Sequence, residues 1–129
     1  MGRVAAGAAR KEVPMPAYAL AHLRTPQIND EVLTYIERIQ ATMAPYGGRF
    51  LVHGAEVEVV EDDWPGTVVI IEFPDVASAR AWYASDDYQA ILPLRTRNID
   101  GAAIIVDGVP PGYEASATAA RLREAARAQ

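Results

Sequence analysis

The segment Thr67–Phe73 (TVVIIEF) constrains the fold more than any other part of this sequence. Its side chains alternate between two faces in an extended chain, and large apolar residues fall on both of them. A strand that is apolar on both faces is typical of a central position in a sheet that is covered on two sides. The sequence therefore predicts a central strand here, with something packed against each face.

Segments with helix and strand patterns surround this strand in a regular order. The other predicted strands are Ala17–Leu23, Arg49–His53 with a bulged or bent continuation into 57–60, and 102–106. The predicted helices are one with an apolar stripe at Val32, Ile36, Ile39 and Met43, one over Val76–Ala84, and one from Tyr88 towards Arg95, which Pro93 kinks or ends early. This β-α-β-β-α-β order predicts an α+β, ferredoxin-like fold.

The same order leaves one face of the sheet without a helix. A four-stranded sheet of this kind has both helical regions on one side, yet 67–73 and 103–106 are apolar on both faces. No other predicted element in 14–112 is left to cover the second face. We therefore expect a symmetric homodimer in which two sheets pack face to face as a dimeric α/β barrel.

Charge divides the chain into three parts. Residues 1–14 form a predicted flexible extension, with Met15 as an alternative start. Residues 15–109 form the predicted domain, and 110–129 form a C-terminal extension with a helix over 115–128. The net charge is −5, made of +3 at the two ends and −8 in the middle. An acidic body repels the phosphate backbone, so we expect no nucleic-acid partner for the domain.

Several chemistries are excluded or disfavoured by what the sequence lacks. It has no cysteine, so it forms no disulfide and uses no thiolate. It also lacks an HExxH pair, a GxSxG motif and a phosphate-binding glycine loop, and no apolar run approaches the roughly 20 residues that span a bilayer. We therefore expect a soluble, cytoplasmic domain with no metal site, no cofactor and no membrane partner.

A set of short motifs resembles a known family. In order, these are residues 46–54 (YGGRFLVHG), 57–61 (VEVVE), Trp64, 69–74 (VIIEFP), 79–83 (ARAWY), 85–89 (SDDYQ) and 94–95 (LR). Together they resemble the family called domain of unknown function 1330, in the dimeric α/β-barrel superfamily, over residues 17–109. The resemblance implies the fold and the dimer.

For activity the resemblance implies less. The superfamily includes cofactor-free monooxygenases, haem enzymes, isomerases and simple ligand binders. Haem-binding relatives generally use a histidine on a helix, whereas both histidines here fall on predicted strands, which disfavours haem. His53 also stands where the family often has arginine, which places an arginine-based anion role at that position in doubt.

Polar residues set into the apolar strands are the candidate catalytic groups. In the ferredoxin-like sheet order we expect the first and third strands to be parallel neighbours, so that His22 and Glu72 lie at one end of the sheet with Arg49. His53 then lies at the other end with Tyr18. A histidine and a carboxylate can transfer a proton, and an arginine can hold a developing oxyanion. The structural alternatives are a Glu72–Arg49 ion pair and two histidines that simply end their strands.

A second group of candidates lies on the helices. Tyr88 and Arg95 are seven residues apart and therefore share a helix face, and Trp82 precedes them closely. An aromatic and arginine rim over an apolar floor suits a small aromatic or carboxylate ligand. The alternative is ordinary helix-to-sheet packing with Arg95 at the surface.

Three functions remain open from the sequence. The first is a small cofactor-independent enzyme, of the monooxygenase, isomerase or lyase type, acting on a small organic molecule by acid/base chemistry. It predicts a pocket of roughly 300 Å³ or more that is lined by a histidine. The second is a non-catalytic ligand-binding or sensing module, with Tyr88, Trp82 and Arg95 around the pocket and both histidines elsewhere. The third is a homodimeric interaction protein.

Overall fold

The computed structural model describes residues 15–24 and 26–128. The extension predicted for 1–14 lies outside the described residues. Met15–Gly108 forms one compact unit, and Val109–Gln129 belongs to a second. In the second unit the predicted C-terminal helix is present as Ala115–Arg127, with no buried residue. Tyr113 precedes this helix and Thr118 lies in its first turn, and their hydroxyl oxygens are 2.6 Å apart.

The predicted order of helices and strands in the first unit is confirmed. The strands are β1 Ala17–Leu23, β2 Arg49–His53, β3 Thr67–Phe73 and β4 Gly101–Asp107, and the helices are α1 Asp30–Met43, α2 Val76–Ala84 and α3 Asp86–Thr96. A single 3₁₀ turn, Ala44–Tyr46, follows α1. The fold is α+β and ferredoxin-like, with the second helical region divided into two helices at Ser85.

Short polar side chains set the helix starts. Asn29, Asp75 and Ser85 each accept a hydrogen bond from the backbone N–H three residues further on, at 3.0, 2.7 and 3.2 Å. These bonds satisfy donors that have no partner inside the helix. The helix α3 continues through Pro93 to Thr96, so the expectation that Pro93 ends it early is wrong.

The sheet has the order β2-β3-β1-β4, and every neighbouring pair is antiparallel. The expectation that β1 and β3 are parallel is therefore wrong. The crossover through α1 makes β1 and β2 run in the same direction, and β3 is inserted between them in the opposite direction. As a result, the C-terminal ends of β1 and β2 lie at the same end of the sheet, and their N-terminal ends lie at the opposite end.

The two faces of the sheet differ in what covers them. On one, which we call the covered face, Ala17, Ile71 and Phe73 pack against the three helices. The buried core combines these with helix residues Tyr35, Ile39, Met43, Ala79, Trp82, Tyr88 and Ile91. The cross-strand register places alternate residues on the other, open face: Tyr18, Leu20, His22, Val68, Ile70, Glu72, Ile104 and Val106.

The predicted continuation of β2 into 57–60 is wrong, because β2 ends at His53 and no strand is assigned from there to β3. Gly54 follows with a φ of +82°, a conformation that only glycine adopts readily. The last residue of β2 that pairs with β3 is His53. Val60, inside the predicted continuation, is 84% exposed. The irregularity lies inside β2 instead, between Phe50 and Val52.

Candidate functional site

A cavity of about 600 Å³ lies between the covered face and the helices. Its walls are mostly apolar, and residues from all three helices and all four strands contribute to them. The apolar part includes Val32, Ile36, Ile39, Val69, Ile71 and Ile105. The polar side chains that line it are few, namely Tyr35, His53, Thr67, Tyr83, Tyr88 and Arg95. Apolar walls with a few polar groups are typical of a small-molecule site.

Arg95 is the principal charged group of this cavity. It lies on α3 and is 8% exposed, so the alternative that places it at the surface is wrong. Its Nε donates to the Tyr35 hydroxyl at 3.3 Å, and its guanidinium carbon lies 5.7 Å from the centre of the Tyr35 ring. Among residues 15–24 and 26–128, no carboxylate forms an ion pair with it. A buried charge without a counter-ion is costly.

Two tyrosine hydroxyls meet beside this arginine. The oxygens of Tyr35 and Tyr88 are 2.7 Å apart and buried. Burial, reinforced by Tyr88, raises the pKa of Tyr35 well above its usual range, so this phenol is neutral at physiological pH. Burial lowers the pKa of Arg95, but the two phenols outweigh it and the pKa is raised overall. The guanidinium is therefore a fixed cation next to the neutral phenol of Tyr35.

Trp82 forms part of the cavity wall and directs its polar atom away from it. The indole Nε1 donates to Thr42 Oγ1 at 2.9 Å, and that hydroxyl donates to the Ile39 carbonyl at 2.7 Å. The ring centres of Trp82 and Tyr88 are 4.2 Å apart. The structure thus brings together all three helix residues singled out by the sequence, Trp82, Tyr88 and Arg95, at one cavity.

His53 also lines the cavity, from an exposed position at the end of β2. Its ring stacks on Phe50 with centres 4.2 Å apart and planes 5° from parallel. The predicted neighbourhood of His53 and Tyr18 is wrong. His53 pairs with Val69 on the covered face. Tyr18 pairs with Glu72 on the open face, at the opposite end of the strands.

His22 lies on the open face and does not line the cavity. Its Nε2 is 2.6 Å from the Pro65 carbonyl oxygen, and its ring stacks on Trp64 at 4.1 Å. The register pairs it with Val68, far along β3 from Glu72. The predicted grouping of His22 with Glu72 is therefore wrong, because it depended on a parallel β1–β3 pair.

Arg49 and Glu72 are brought together, as the sequence predicts. Arg49 Nη2 is 2.7 Å from Glu72 Oε1, and their side chains are 70% and 22% exposed. The Tyr18 hydroxyl lies 3.5 Å from the other carboxylate oxygen, at the limit of a hydrogen bond. None of the three lines the cavity. This geometry favours the structural ion pair over a proton-transfer role.

Tyr35 is the site residue that sequence reasoning missed. Its ring packs in the core beside the helices, and its hydroxyl meets Tyr88 and Arg95. The available signal was its position between Val32 and Ile39 in the apolar stripe of α1. A tyrosine in such a stripe needs a buried partner for its hydroxyl.

Within 15–24 and 26–128, no group of three acidic or histidine side chains is placed to hold a metal ion. In the same part of the chain, no helix has the length and apolar character needed to cross a membrane.

Solved structures share this fold at low sequence identity. A protein of unknown function from Rhodopseudomonas palustris is 16% identical, with a TM-score of 0.58 over 86% of this chain and 97% of that one. A dabb family protein with a ferredoxin-like fold from Mesorhizobium loti is 16% identical, with a TM-score of 0.51 over 77% and 99%. A cofactor-independent oxygenase from Streptomyces nogalater is 15% identical, with a TM-score of 0.49 over 78% and 98%.

The two likenesses with TM-scores above 0.5 concern the fold alone, and one of these two structures is of a protein of unknown function. No curated protein matches this sequence. A family model, described as a domain of unknown function (DUF1330), matches residues 16–109. This is the whole of the first compact unit apart from its first residue. The chain therefore belongs to the DUF1330 family.

Proposed function

We propose that this protein binds a small, mainly apolar organic anion in the cavity under the helices, with the anionic oxygen on Arg95. The observation that carries this proposal is a buried guanidinium that lines an apolar cavity without a carboxylate partner in the described residues. A ligand anion supplies the missing counter-charge. Charge-assisted hydrogen bonds of this kind are about twice as strong as neutral ones.

The rest of the cavity determines the body of the ligand. Isoleucine and valine side chains from α1 and the sheet contribute to its walls, together with the Trp82 and Tyr88 rings. Because the Trp82 indole N–H is already bonded to Thr42, the ring offers the ligand an apolar surface. An aromatic or branched aliphatic group with one charged end matches this distribution.

Two probes with the same ring test the proposal by calorimetry on the full chain. Benzoate carries the negative charge, and benzamide has the same shape without it. We expect benzoate to bind at least about 10-fold more tightly, which corresponds to about 1.4 kcal/mol. In Arg95→Met this preference disappears, whereas Arg80→Met, which removes an exposed arginine, leaves it unchanged. Equal binding of both probes to the original chain, or a preference that survives in Arg95→Met, contradicts the proposal.

A second candidate function is cofactor-independent acid/base catalysis on the bound molecule. The observation that favours it is that His53 lines the same cavity. Histidine is the side chain best suited to proton transfer near neutral pH, and Arg95 is placed to hold an oxyanion. Of the three residues first predicted as catalytic, only His53 remains in this proposal, because His22 and Glu72 lie on the open face.

A matched pair of histidine variants separates catalysis from binding. His53→Ala should lower turnover of a bound substrate by about 100-fold or more while its dissociation constant changes little. His22→Ala, on the opposite face, should retain turnover. If both variants keep full turnover, His53 has no catalytic role and ligand binding stands alone.

We also propose that a second copy of the chain covers the open face. Ile104 and Val106 on this face are 57% and 44% exposed, and no helix of the Met15–Gly108 unit packs there. Exposed apolar patches on sheets mark interaction surfaces. A two-fold pairing of identical faces buries such a patch against itself.

A further inference from the structure

The polar group formed by Arg95, Tyr35 and Tyr88 in the cavity has an excess of hydrogen-bond donors. Arginine has five N–H donors and no acceptor, and each phenol has one O–H donor. Arg95 donates to Tyr35, and the Tyr35 and Tyr88 hydroxyls share one hydrogen between them. Whichever phenol donates in that pair, the hydroxyl hydrogen of the other phenol is left without an acceptor in the pair.

No acceptor for these remaining hydrogens is found among residues 15–24 and 26–128. Tyr88 is 2% exposed, and its hydroxyl meets the Tyr35 hydroxyl and the Arg95 guanidinium, which has no acceptor to offer. The terminal nitrogens of Arg95 have no carboxylate there either. The site thus presents one phenol O–H and several guanidinium N–H groups together. A ligand that binds there must supply hydrogen-bond acceptors.

The hydrogen bond from Arg95 to Tyr35 also limits how a ligand oxygen can bind the guanidinium. A carboxylate is gripped most strongly when it receives two parallel hydrogen bonds from the planar guanidinium. In Arg95 the Nε–H is directed at Tyr35, so the fork made by Nε and one terminal nitrogen is occupied, and two parallel bonds are left only at the fork made by the two terminal nitrogens. A single oxygen atom that receives one guanidinium N–H and one phenol O–H needs no such fork.

We infer that this subsite binds a weakly acidic hydroxyl compound, a phenol or an enol, as its phenolate or enolate, with the charged oxygen between Arg95 and the Tyr35–Tyr88 hydroxyl pair. The inference rests on the proposed function and names the ligand class of that site. On binding, the ligand O–H bond breaks heterolytically, its electron pair remains on the oxygen, and the proton goes to the buffer.

The environment favours the ionised form for a physical reason. A neutral hydroxyl adds one more donor to a group of donors, whereas its anion adds only acceptors. The surrounding apolar walls lower the local dielectric response, which strengthens the attraction between the oxyanion and Arg95. The raised pKa of Tyr35 keeps the site's own phenol protonated, so the ligand and not the protein carries the negative charge.

The test uses 4-nitrophenol, whose phenolate absorbs visible light and whose phenol does not. The absorbance of the full chain with bound probe is titrated against pH, beside the free probe. We expect the pKa of the bound probe to be at least about one unit lower, which means at least about 10-fold tighter binding of the phenolate than of the phenol.

Variants assign the shift to the polar group. Arg95→Met should abolish it, and Tyr88→Phe, which keeps the ring and removes the hydroxyl, should reduce it. Arg80→Met should leave it unchanged. Thermal unfolding of each variant shows whether it is folded, and Tyr88→Phe provides an answer if Arg95→Met does not fold.

The outcomes separate this inference from the function it rests on. If benzoate binds through Arg95 but 4-nitrophenol binds with an unshifted pKa, the inference is overturned and the anion-binding proposal stands. A shift that persists in both folded Arg95→Met and folded Tyr88→Phe also overturns the inference. If neither benzoate nor 4-nitrophenol binds, both proposals fail together.

Discussion

The two faces of the sheet carry polar groups in opposite states. On the open face, Glu72 is paired with Arg49 at 2.7 Å, and the His22 ring lies against Trp64 and the Pro65 carbonyl. On the side of the covered face, Arg95 on α3 has the phenols of Tyr35 and Tyr88 as its partners and no carboxylate among the described residues. The polar groups of one face satisfy each other, and those of the other face are left with spare donors.

This difference separates a surface for assembly from a surface for chemistry. A polar group whose partners are already in place has little left for a ligand, while a buried cation with unused donors has much to gain from one. The sheet therefore presents an apolar face suited to another sheet, and a second face that forms the floor of a binding cavity. Four measurements break or sharpen this comparison.

The largest effect is expected on the covered face. Phe73 is fully buried, and Phe73→Ala should lower the free energy of unfolding by about 3–5 kcal/mol. Urea denaturation measures it, and Phe73→Leu, which keeps most of the volume, should lose much less. A loss below about 1 kcal/mol in Phe73→Ala would mean that the core does not lie on this face.

The next effect concerns the open face and the second copy. Val106→Asp places a carboxylate in the proposed interface, and we expect the dimer dissociation constant to rise by about 100-fold or more. Sedimentation equilibrium measures the constant. Val106 and Leu33 are both 44% exposed, so Leu33→Asp on α1 is the matched control and should leave assembly unchanged. A monomeric original chain, or equal effects of the two variants, would rule out a dimer through this face.

A smaller effect is expected for the ion pair on the open face. Glu72→Gln should lower the free energy of unfolding by no more than about 1 kcal/mol, and added salt should shrink the difference, because Arg49 is largely exposed. Benzoate affinity should not change. A drop in affinity or turnover of more than about 10-fold would return Glu72 to the functional site.

The smallest effect lies at the outer rim of the helices. Glu31 in α1 accepts hydrogen bonds from Arg97 at 2.6 Å and from Asn98 at 2.9 Å. These bonds, Arg97 first, lower the pKa of Glu31 from 4.5 to about 2. Because the folded pKa is the lower one, the stabilising contribution is present above about 4.5 and is lost as the pH falls towards 2.

Carbon-detected NMR of the Glu31 carboxyl measures this titration directly. In the original chain its midpoint should lie near 2, and in Arg97→Met it should move towards the ordinary value. An unshifted Glu31 in the original chain would show that α1 and the end of α3 are not held together at this point.

Local structure was largely predictable from the sequence. The bounds of β1, β2 and β3 follow from β-branched and apolar runs that end at proline or glycine. Helix starts follow from Asn29, Asp75 and Ser85, since an N-cap acts on residues only two or three positions away. Arg95 and Tyr88 were found together because the helix repeat alone places them on one face.

Apart from Pro93, which lies inside its helix and does not end it, the errors involve partners that are distant in the sequence. The directions of β1 and β3 depend on how α1 crosses the sheet, which no local pattern records. Because of that one error, His22 and Tyr18 were each predicted at the wrong end of the sheet. The strand predicted for 57–60 failed for a related reason, because its pattern had no neighbouring strand with which to pair.

By itself, the sequence determined which segments are helices and strands, their order, and the presence of a sheet that is apolar on both sides. These depend on side-chain periodicity and capping, which act over a few residues. Only the tertiary structure decided that Arg95 is buried without a carboxylate partner in the described chain, that Tyr35 and Tyr88 meet beside it, and that His53 rather than His22 lines the cavity. These depend on strand direction and on the cavity formed when three helices pack on a sheet, which are properties of the assembled chain.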